Sequence, residues 1–228
     1  NDILGHLHMW NWAADLALRD GDAFMEFAAE VMADVKGGSL RGFEAKWREG
    51  LSGQKLRDTW HEFLGPMSDR FAAADPKMRV KWAGPDMSVR SSITARLMET
   101  WSHGQGIYDL LGVERVNADR IKNVAVLGVN TFGWTHMNRK WDVPDKAPFV
   151  KLVAPSGGTW EWNDPSSDEC IEGNAEEFCQ VVTQTRNIGD TSLKVTGDVA
   201  TRWMSVAQCF AGPPQDPPAI GARHRVTS

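Results

Sequence analysis

Residues 95–105 read Ala-Arg-Leu-Met-Glu-Thr-Trp-Ser-His-Gly-Gln, and this stretch carries the strongest structural signal in the chain. Glu99 and His103 stand four residues apart, so on a helix they share one face and can offer an oxygen and a nitrogen to one ion. By spacing alone, such a pair is most often a solvated surface contact. Its neighbours are largely apolar, however, and an unpaired carboxylate would be costly among them. The stretch therefore favours a helix that carries two metal ligands.

A third ligand would have to come from another helix, and the start of the chain offers two candidates. His6 and His8 both lie in a segment with helical apolar spacing. Two residues turn a helix by about 200°, so the two imidazoles cannot both face the same ion. Spacing alone leaves the choice between them open.

Helical periodicity continues through most of the first 143 residues, which we interpret as a metal-binding helical bundle. Two helices meet near Gly21, and we interpret the segment after Gly37-Gly38 as a polar connector. Ser88 is expected to cap the central helix and Gly112 to end it. The predicted helices cover residues 3–19, 22–35, 56–71, 88–111 and 117–138. Since apolar spacing is already present at Ile3, we expect a first helix upstream of Asn1.

The pattern changes after the prolines of 144–148, where apolar and polar residues begin to alternate. Strands are predicted at 149–154 and 159–163, paired as a hairpin. A helix near 174–185, a strand near 192–195 and a helix near 198–210 complete a small α+β domain over residues 144–212. Residues 213–228 form a Pro-rich tail. The fold class expected is α+β, with an up-down bundle followed by this domain.

Composition narrows the function classes. The formal net charge is −5 and the basic residues are scattered, which argues against a nucleic-acid partner. No apolar run approaches the about 20 residues that cross a bilayer, so we expect a cytoplasmic protein without a membrane partner. The three cysteines are widely spaced and odd in number, which favours reduced thiols. Cys179 and Cys209 lie on apolar helix faces and are interpreted as packing residues.

For the other candidate site residues, the spacing in the sequence supports a functional role less strongly than it does for Glu99 and His103. Tryptophans near the histidines, including Trp10 and Trp101, could line a pocket, although large core residues are the more ordinary interpretation. Arg186 could bind an anion or simply complement the end of a helix. The remaining histidines have no partner at ligand spacing and are interpreted as surface or core residues: His61, His136 and His224.

The segment Ile3-Leu-Gly-His6-Leu, followed by residues 95–105, resembles the metal-binding pattern of the mycothiol-dependent maleylpyruvate isomerase family within the DinB-like superfamily. The nearest likeness is to its branch labelled wyosine-base-formation-like metal-binding protein. The resemblance implies that His6, rather than His8, joins Glu99 and His103 as zinc ligands. The family's small sterol-carrier-like α+β domain is similar to residues 148–210. Family members usually carry Asp where this chain has Gly106, and they begin with a helix upstream of the metal histidine.

The resemblance implies a metal-dependent enzyme that activates a low-molecular-weight thiol. The thiol would be transferred to a small electrophilic acid or would assist its isomerisation. Three protein ligands leave open coordination positions, as in catalytic zinc sites. Arg186 is the candidate catalytic residue, and the thiol or substrate pocket would include Trp10, Trp101 and Gln105. Two alternatives remain: an iron(II) enzyme of oxygen chemistry and a non-catalytic, metal-containing binding module. The oligomeric state is left open.

Overall fold

Helices form most of the chain's first half in the computed structural model, which describes residues 1–226. Their bounds are α1 (Asp2–Arg19), α2 (Gly21–Gly37), α3 (Leu40–Trp47), α4 (Gly53–Ala73) and α5 (Val89–Leu110). A short antiparallel ribbon of β1 (Arg79–Val80) and β2 (Met87–Ser88) precedes α5. The chain divides into two compact units, Asn1–Thr100 and the part from Trp101 onward, and the division falls inside α5.

Capping side chains and one glycine mark the ends of these helices. Asp20 separates α1 from α2, and its carboxylate accepts a hydrogen bond from the Ala23 N–H. Ser88 Oγ accepts from the Ser91 N–H at 3.1 Å, which satisfies a donor at the start of α5. Gly112 adopts φ +68°, the left-handed conformation that commonly ends a helix. The predicted cap and stop of the central helix are both confirmed.

A buried ion pair joins α1 to α4 in the first unit. The Asp15 carboxylate is almost fully buried and accepts from Arg70 Nε at 2.6 Å and from Arg19 Nε at 2.9 Å. Beside it, the small and apolar residues of α1 pack against α2; the buried members are Met9, Ala13, Ala17, Phe24, Phe27, Ala28 and Val31. These contacts fix the orientation of α1, which carries His6.

The segment interpreted as a polar connector contains a helix, α3, so that interpretation is wrong. Ser39 caps it by accepting from the Gly42 N–H. Phe43 and Trp47 pack onto the core of the first unit, and Glu44 is buried. Eight residues provide only two turns, so the apolar period is too short to stand out among the surrounding charges.

The continuous helix expected over 117–138 is also wrong. A short 3-10 turn at Asp119–Ile121 leads into α6 (Lys122–Asn130), and α7 (Phe132–Asn138) follows after Thr131. The Thr131 hydroxyl donates to the carbonyls of Leu127 and Gly128. Such back-bonding competes with the helix backbone, and the helix is interrupted at this residue.

The second unit also contains a four-stranded sheet in the order β4-β3-β5-β6. Its strands are β3 (Phe149–Val153), β4 (Thr159–Trp162), β5 (Cys170–Asn174) and β6 (Lys194–Thr196); the helices are α8 (Ala175–Val182) and α9 (Asp198–Met204). The antiparallel pairing of β3 with β4 was predicted and is confirmed. Strand β5 was not predicted; it runs parallel to β3 and antiparallel to β6. Both helices are shorter than expected.

Residues 213–226 contain no helix or strand, yet they are held against the second unit by hydrogen bonds. Gln184 Nε2 donates to the Gln215 carbonyl at 2.8 Å, and Asn187 Nδ2 donates to the Pro218 carbonyl at 2.8 Å. The Val226 N–H donates to the Asp109 carbonyl at 2.9 Å. The end of the predicted tail, Thr227 and Ser228, lies outside the described residues. The α+β class is confirmed, whereas a domain boundary at residue 144 stays a prediction.

Across residues 1–226, no helix has both the length and the apolar character needed to span a membrane.

Candidate metal centre

Three predicted ligand residues come together on two helices. His6 projects from α1, and Glu99 and His103 project from successive turns of α5. One ligand atom from each residue lies within 4.8 Å of the other two. His8 is not in this group; it is buried, with its ring in edge contact with Trp47 and Phe63. The two-residue rotation that made His6 and His8 exclusive candidates is therefore seen in the structure.

The spacing of these atoms suits a divalent ion. His6 Nε2 lies 3.3 Å from Glu99 Oε2. Zinc binds nitrogen and oxygen at about 2.0–2.2 Å in a tetrahedron, which places neighbouring ligand atoms about 3.4 Å apart. Two imidazoles and one carboxylate are also a donor set that zinc and iron(II) accept. The residues present therefore fit such an ion and would leave coordination positions open.

A second carboxylate, Glu44 of α3, supports His6 from the other side. Glu44 Oε1 accepts from His6 Nδ1 at 2.7 Å and from Trp10 Nε1 at 3.3 Å. Because a carboxylate can only accept, the hydrogen bond to Glu44 keeps a proton on Nδ1, and Nε2, which faces Glu99, is the nitrogen that could exchange its proton for an ion. This arrangement is the carboxylate–histidine pair that orients ligands in many metal sites. Glu44 was not predicted as a site residue, because it lies in the segment interpreted as a polar connector.

The electrostatics of the cluster favour a positive charge at His6. Burial lowers the pKa of His6, but the hydrogen bonds to Glu44 and Glu99 outweigh that effect and raise the pKa to about 9. Both carboxylates are largely buried, so their field is poorly screened by water. The site thus holds a proton in the region where a cation would otherwise lie.

The three predicted pocket residues have different surroundings. Trp10 contacts the cluster through Glu44, and its ring centroid lies 6.3 Å from that of His6. Trp101 is buried; its Nε1 donates to Asn117 Oδ1 at 2.8 Å. Gln105 is buried and donates from Nε2 to Asp109 Oδ1 at 3.0 Å. Roles for these three residues in a pocket stay predictions.

Arg186 is engaged in a paired contact within the second unit. Its Nη1 and Nη2 donate to the two oxygens of Asp109 at 2.7 and 2.6 Å. Burial alone would raise the pKa of Asp109, but Arg186 and Gln105 lower it below its ordinary value. Anion binding by Arg186 would require a ligand to replace Asp109, and its catalytic role stays a prediction.

The remaining histidines lie at the surface or in the core, as expected, and the cysteines are buried, although Cys209 lies beyond the end of α9 and not on a helix face. His61 and His224 are exposed, while His136 is buried and donates from Nδ1 to the Phe132 carbonyl at 3.0 Å. All three cysteines are buried and reduced. Burial raises the pKa of the Cys179 thiol far above its ordinary value, which makes it a poor nucleophile.

Comparison with known proteins gives evidence on the family of this chain. Residues 1–108 match the family model described as the mycothiol maleylpyruvate isomerase N-terminal domain. The chain is also similar to uncharacterized proteins from two strains of Mycobacterium tuberculosis, each 34% identical over 211 residues, which cover 92% of this chain and 81% of each relative. No solved structure gives a significant match.

Proposed function

We propose, because the chain belongs to the mycothiol maleylpyruvate isomerase N-terminal domain family, that it is a metal-dependent enzyme using a low-molecular-weight thiol. The thiol sulfur would be transferred to a small electrophilic acid or would assist its isomerisation. The observation that carries the proposal is the convergence of His6, Glu99 and His103 within 4.8 Å. The family indicates a relation to mycothiol, and the reaction is what we propose.

The chain's own residues would prepare the site before any reactant arrives. His6, Glu99 and His103 would hold the ion, and Glu44 would keep Nε2 of His6 directed toward it. A bound divalent ion lowers the pKa of a coordinated thiol, so that a thiolate is available near neutral pH. Trp10 donates to Glu44 and limits the movement of that carboxylate. Positioning of this kind commonly improves metal affinity or activity 10- to 100-fold.

The cysteines support an external thiol as the nucleophile. Cys170, Cys179 and Cys209 are all buried. Burial raises the pKa of Cys170 as well as that of Cys179, so neither forms a thiolate readily. Since a thiolate is the reactive form, a small thiol that reaches the ligand cluster is the better nucleophile.

A second candidate reaction uses the same donor set. Two imidazoles and one carboxylate with open positions are also the arrangement of iron(II) oxygenases. Metal analysis of protein from native expression would separate the two, since zinc supports thiol chemistry and iron supports oxygen chemistry. Thiol binding without turnover would instead indicate a binding module.

The decisive experiment compares Glu99→Gln and His103→Ala with the wild type. Metal content, circular dichroism and thiol-dependent rate would be measured with a panel of unsaturated and halogenated acids. We expect both variants to lose the metal and the rate together. Their helical signal should persist, because apolar packing rather than the metal holds α1 and α2 together.

Glu30→Gln is the matched control, since Glu30 is exposed on α2. It should retain metal and rate. A metal-free Glu99→Gln protein that turned over substrate at the wild-type rate would contradict the mechanism.

A further inference from the structure

A polar stripe on α5 extends beyond the metal ligands. Ser92, Arg96, Glu99 and His103 are spaced by four, three and four residues, so they lie along one face of the helix. Ser92 is 0% exposed and Arg96 is 7% exposed. The face that carries the ligands therefore continues as buried polar side chains toward the start of α5.

Arg96 is a buried cation whose hydrogen-bonding capacity is largely unused. Among residues 1–226, its Nε and Nη1 find no hydrogen-bond partner, and the same holds for Ser92 Oγ. The guanidinium carbon lies 5.6 Å from the ring centroid of Trp82. Burial lowers the pKa of Arg96, while the charge of Glu99 raises it. An arginine keeps its charge even so, and unmade donors on a buried charge are costly unless a ligand satisfies them.

The charges around the metal ligands and Arg96 indicate which kind of ligand could satisfy the unused donors of Arg96. A divalent ion would be balanced by the carboxylates of Glu99 and Glu44, and Arg96 would add one net positive charge. An anion is therefore favoured. A guanidinium matches the planar carboxylate group in geometry, and one serine hydroxyl can add a further donor. Tetrahedral oxyanions also pair with guanidinium groups, so the choice of a carboxylate rests on the small acid of the proposed function, and sulfate is the competitor that tests it.

We propose that Arg96, assisted by Ser92, binds a carboxylate group of the small acid that reacts at this site. This inference rests on the proposed function, because it identifies what the site recognises in its substrate. Recognition of the acid's carboxylate group would then depend on two residues of α5, in addition to any contribution from Arg186. The competing explanation is that Arg96 is only a counter-ion for Glu99.

Calorimetric titration with maleate, at constant ionic strength, tests this assignment without requiring turnover. Zinc-loaded and metal-free protein would both be titrated, for the wild type, Arg96→Met, Arg96→Lys and Ser92→Ala. A charge-assisted hydrogen bond contributes about 1.5–3 kcal/mol, so Arg96→Met should weaken maleate binding about 10- to 100-fold. Ser92→Ala should weaken it less, and Arg96→Lys should fall between them.

A control variant and a stability measurement distinguish a role of Arg96 in binding maleate from a role in holding the fold together. Arg90→Met removes an exposed arginine from the same helix and should leave maleate affinity within about twofold. Arg96→Met should retain zinc and an undiminished melting temperature, because it replaces a buried charge with two unused donor nitrogens by an apolar side chain. A variant that loses zinc and stability together would identify Arg96 as a counter-ion and overturn the proposal.

Four further outcomes are informative. Absence of maleate binding to the wild type, or equal binding to Arg96→Met, would overturn the proposal. Sulfate that competes as well as maleate would also contradict a carboxylate site. Maleate binding that depends on Arg96 in protein unable to hold zinc would support carboxylate recognition while rejecting the metal mechanism, so the two failures are distinguishable.

Discussion

At the scale of single residues, Glu44 is the side chain whose removal tests how the metal centre is positioned. We expect Glu44→Ala to weaken zinc binding about 10- to 100-fold, because His6 loses the acceptor that orients its ring. A competition titration against a chelating dye would measure the affinity. Glu30→Ala, at an exposed position of α2, is the control. Equal zinc affinity in Glu44→Ala and the wild type would rule out the orienting role.

How far the site can be predicted depends on the distance between partners along the chain. Glu99 and His103 are neighbours on one helix, so a four-residue spacing is enough to pair them. His6 was selected over His8 through the family resemblance. Glu44 contacts His6 across 38 residues of sequence, through the packing of α3, and no local pattern indicates that contact. Arg96 lies within the quoted motif, but only its burial, with Nε and Nη1 lacking hydrogen-bond partners among residues 1–226, distinguishes it from a surface charge.

At the scale of elements, Gly128 tests how closely α6 and α8 pack. A Cβ at this position would lie 2.8 Å from Val182 Cγ2 and 3.1 Å from Phe178 Cε1. Overpacking lowers the free energy of unfolding by about 1–3 kcal/mol, whereas the better helix propensity of alanine raises it by about 1 kcal/mol. We therefore expect Gly128→Ala to lower the free energy of unfolding by up to about 2 kcal/mol, measured by urea denaturation.

The matched control is Gly133→Ala in α7, where a Cβ would meet Val143 Cγ1 at 3.8 Å, an ordinary contact. It should leave stability unchanged or raise it by up to about 1 kcal/mol. If both alanine variants were stabilised equally, the close approach of α6 to α8 would be refuted.

Strands with a regular alternation of apolar and polar residues could be predicted from the sequence, whereas a strand without it could not. Strands β3 and β4 alternate around a Gly-rich turn, and their pairing was predicted from that pattern. Strand β5 reads Cys-Ile-Glu-Gly-Asn, with Gly173 at φ +144°, and has no such alternation. It forms because β3 and β6 provide hydrogen-bonding edges on both sides. Short elements of this kind are defined by their neighbours more than by their own residues.

At the scale of the whole molecule, the extended C-terminal segment is expected to contribute to stability. Deleting residues 213–228 removes the bonds to Gln184, Asn187 and the Asp109 carbonyl. Each hydrogen bond contributes about 0.5–1.5 kcal/mol, so we expect a loss of a few kcal/mol and a lower melting temperature. Deleting only residues 227–228 is the control. An unchanged melting temperature after the longer deletion would show that the segment adds nothing to the fold.

The indole of Trp10 gives the ligand cluster an optical readout. Its N–H donates to the carboxylate that holds His6, and its ring lies 6.3 Å from the imidazole. Indole emission responds to nearby charge, so replacing a proton by a divalent cation beside His6 changes the field that this fluorophore experiences. The chain has eleven tryptophans, and the difference between wild-type and Trp10→Phe spectra isolates the one beside the cluster. Occupancy of the centre can therefore be followed by light emission in the unlabelled protein.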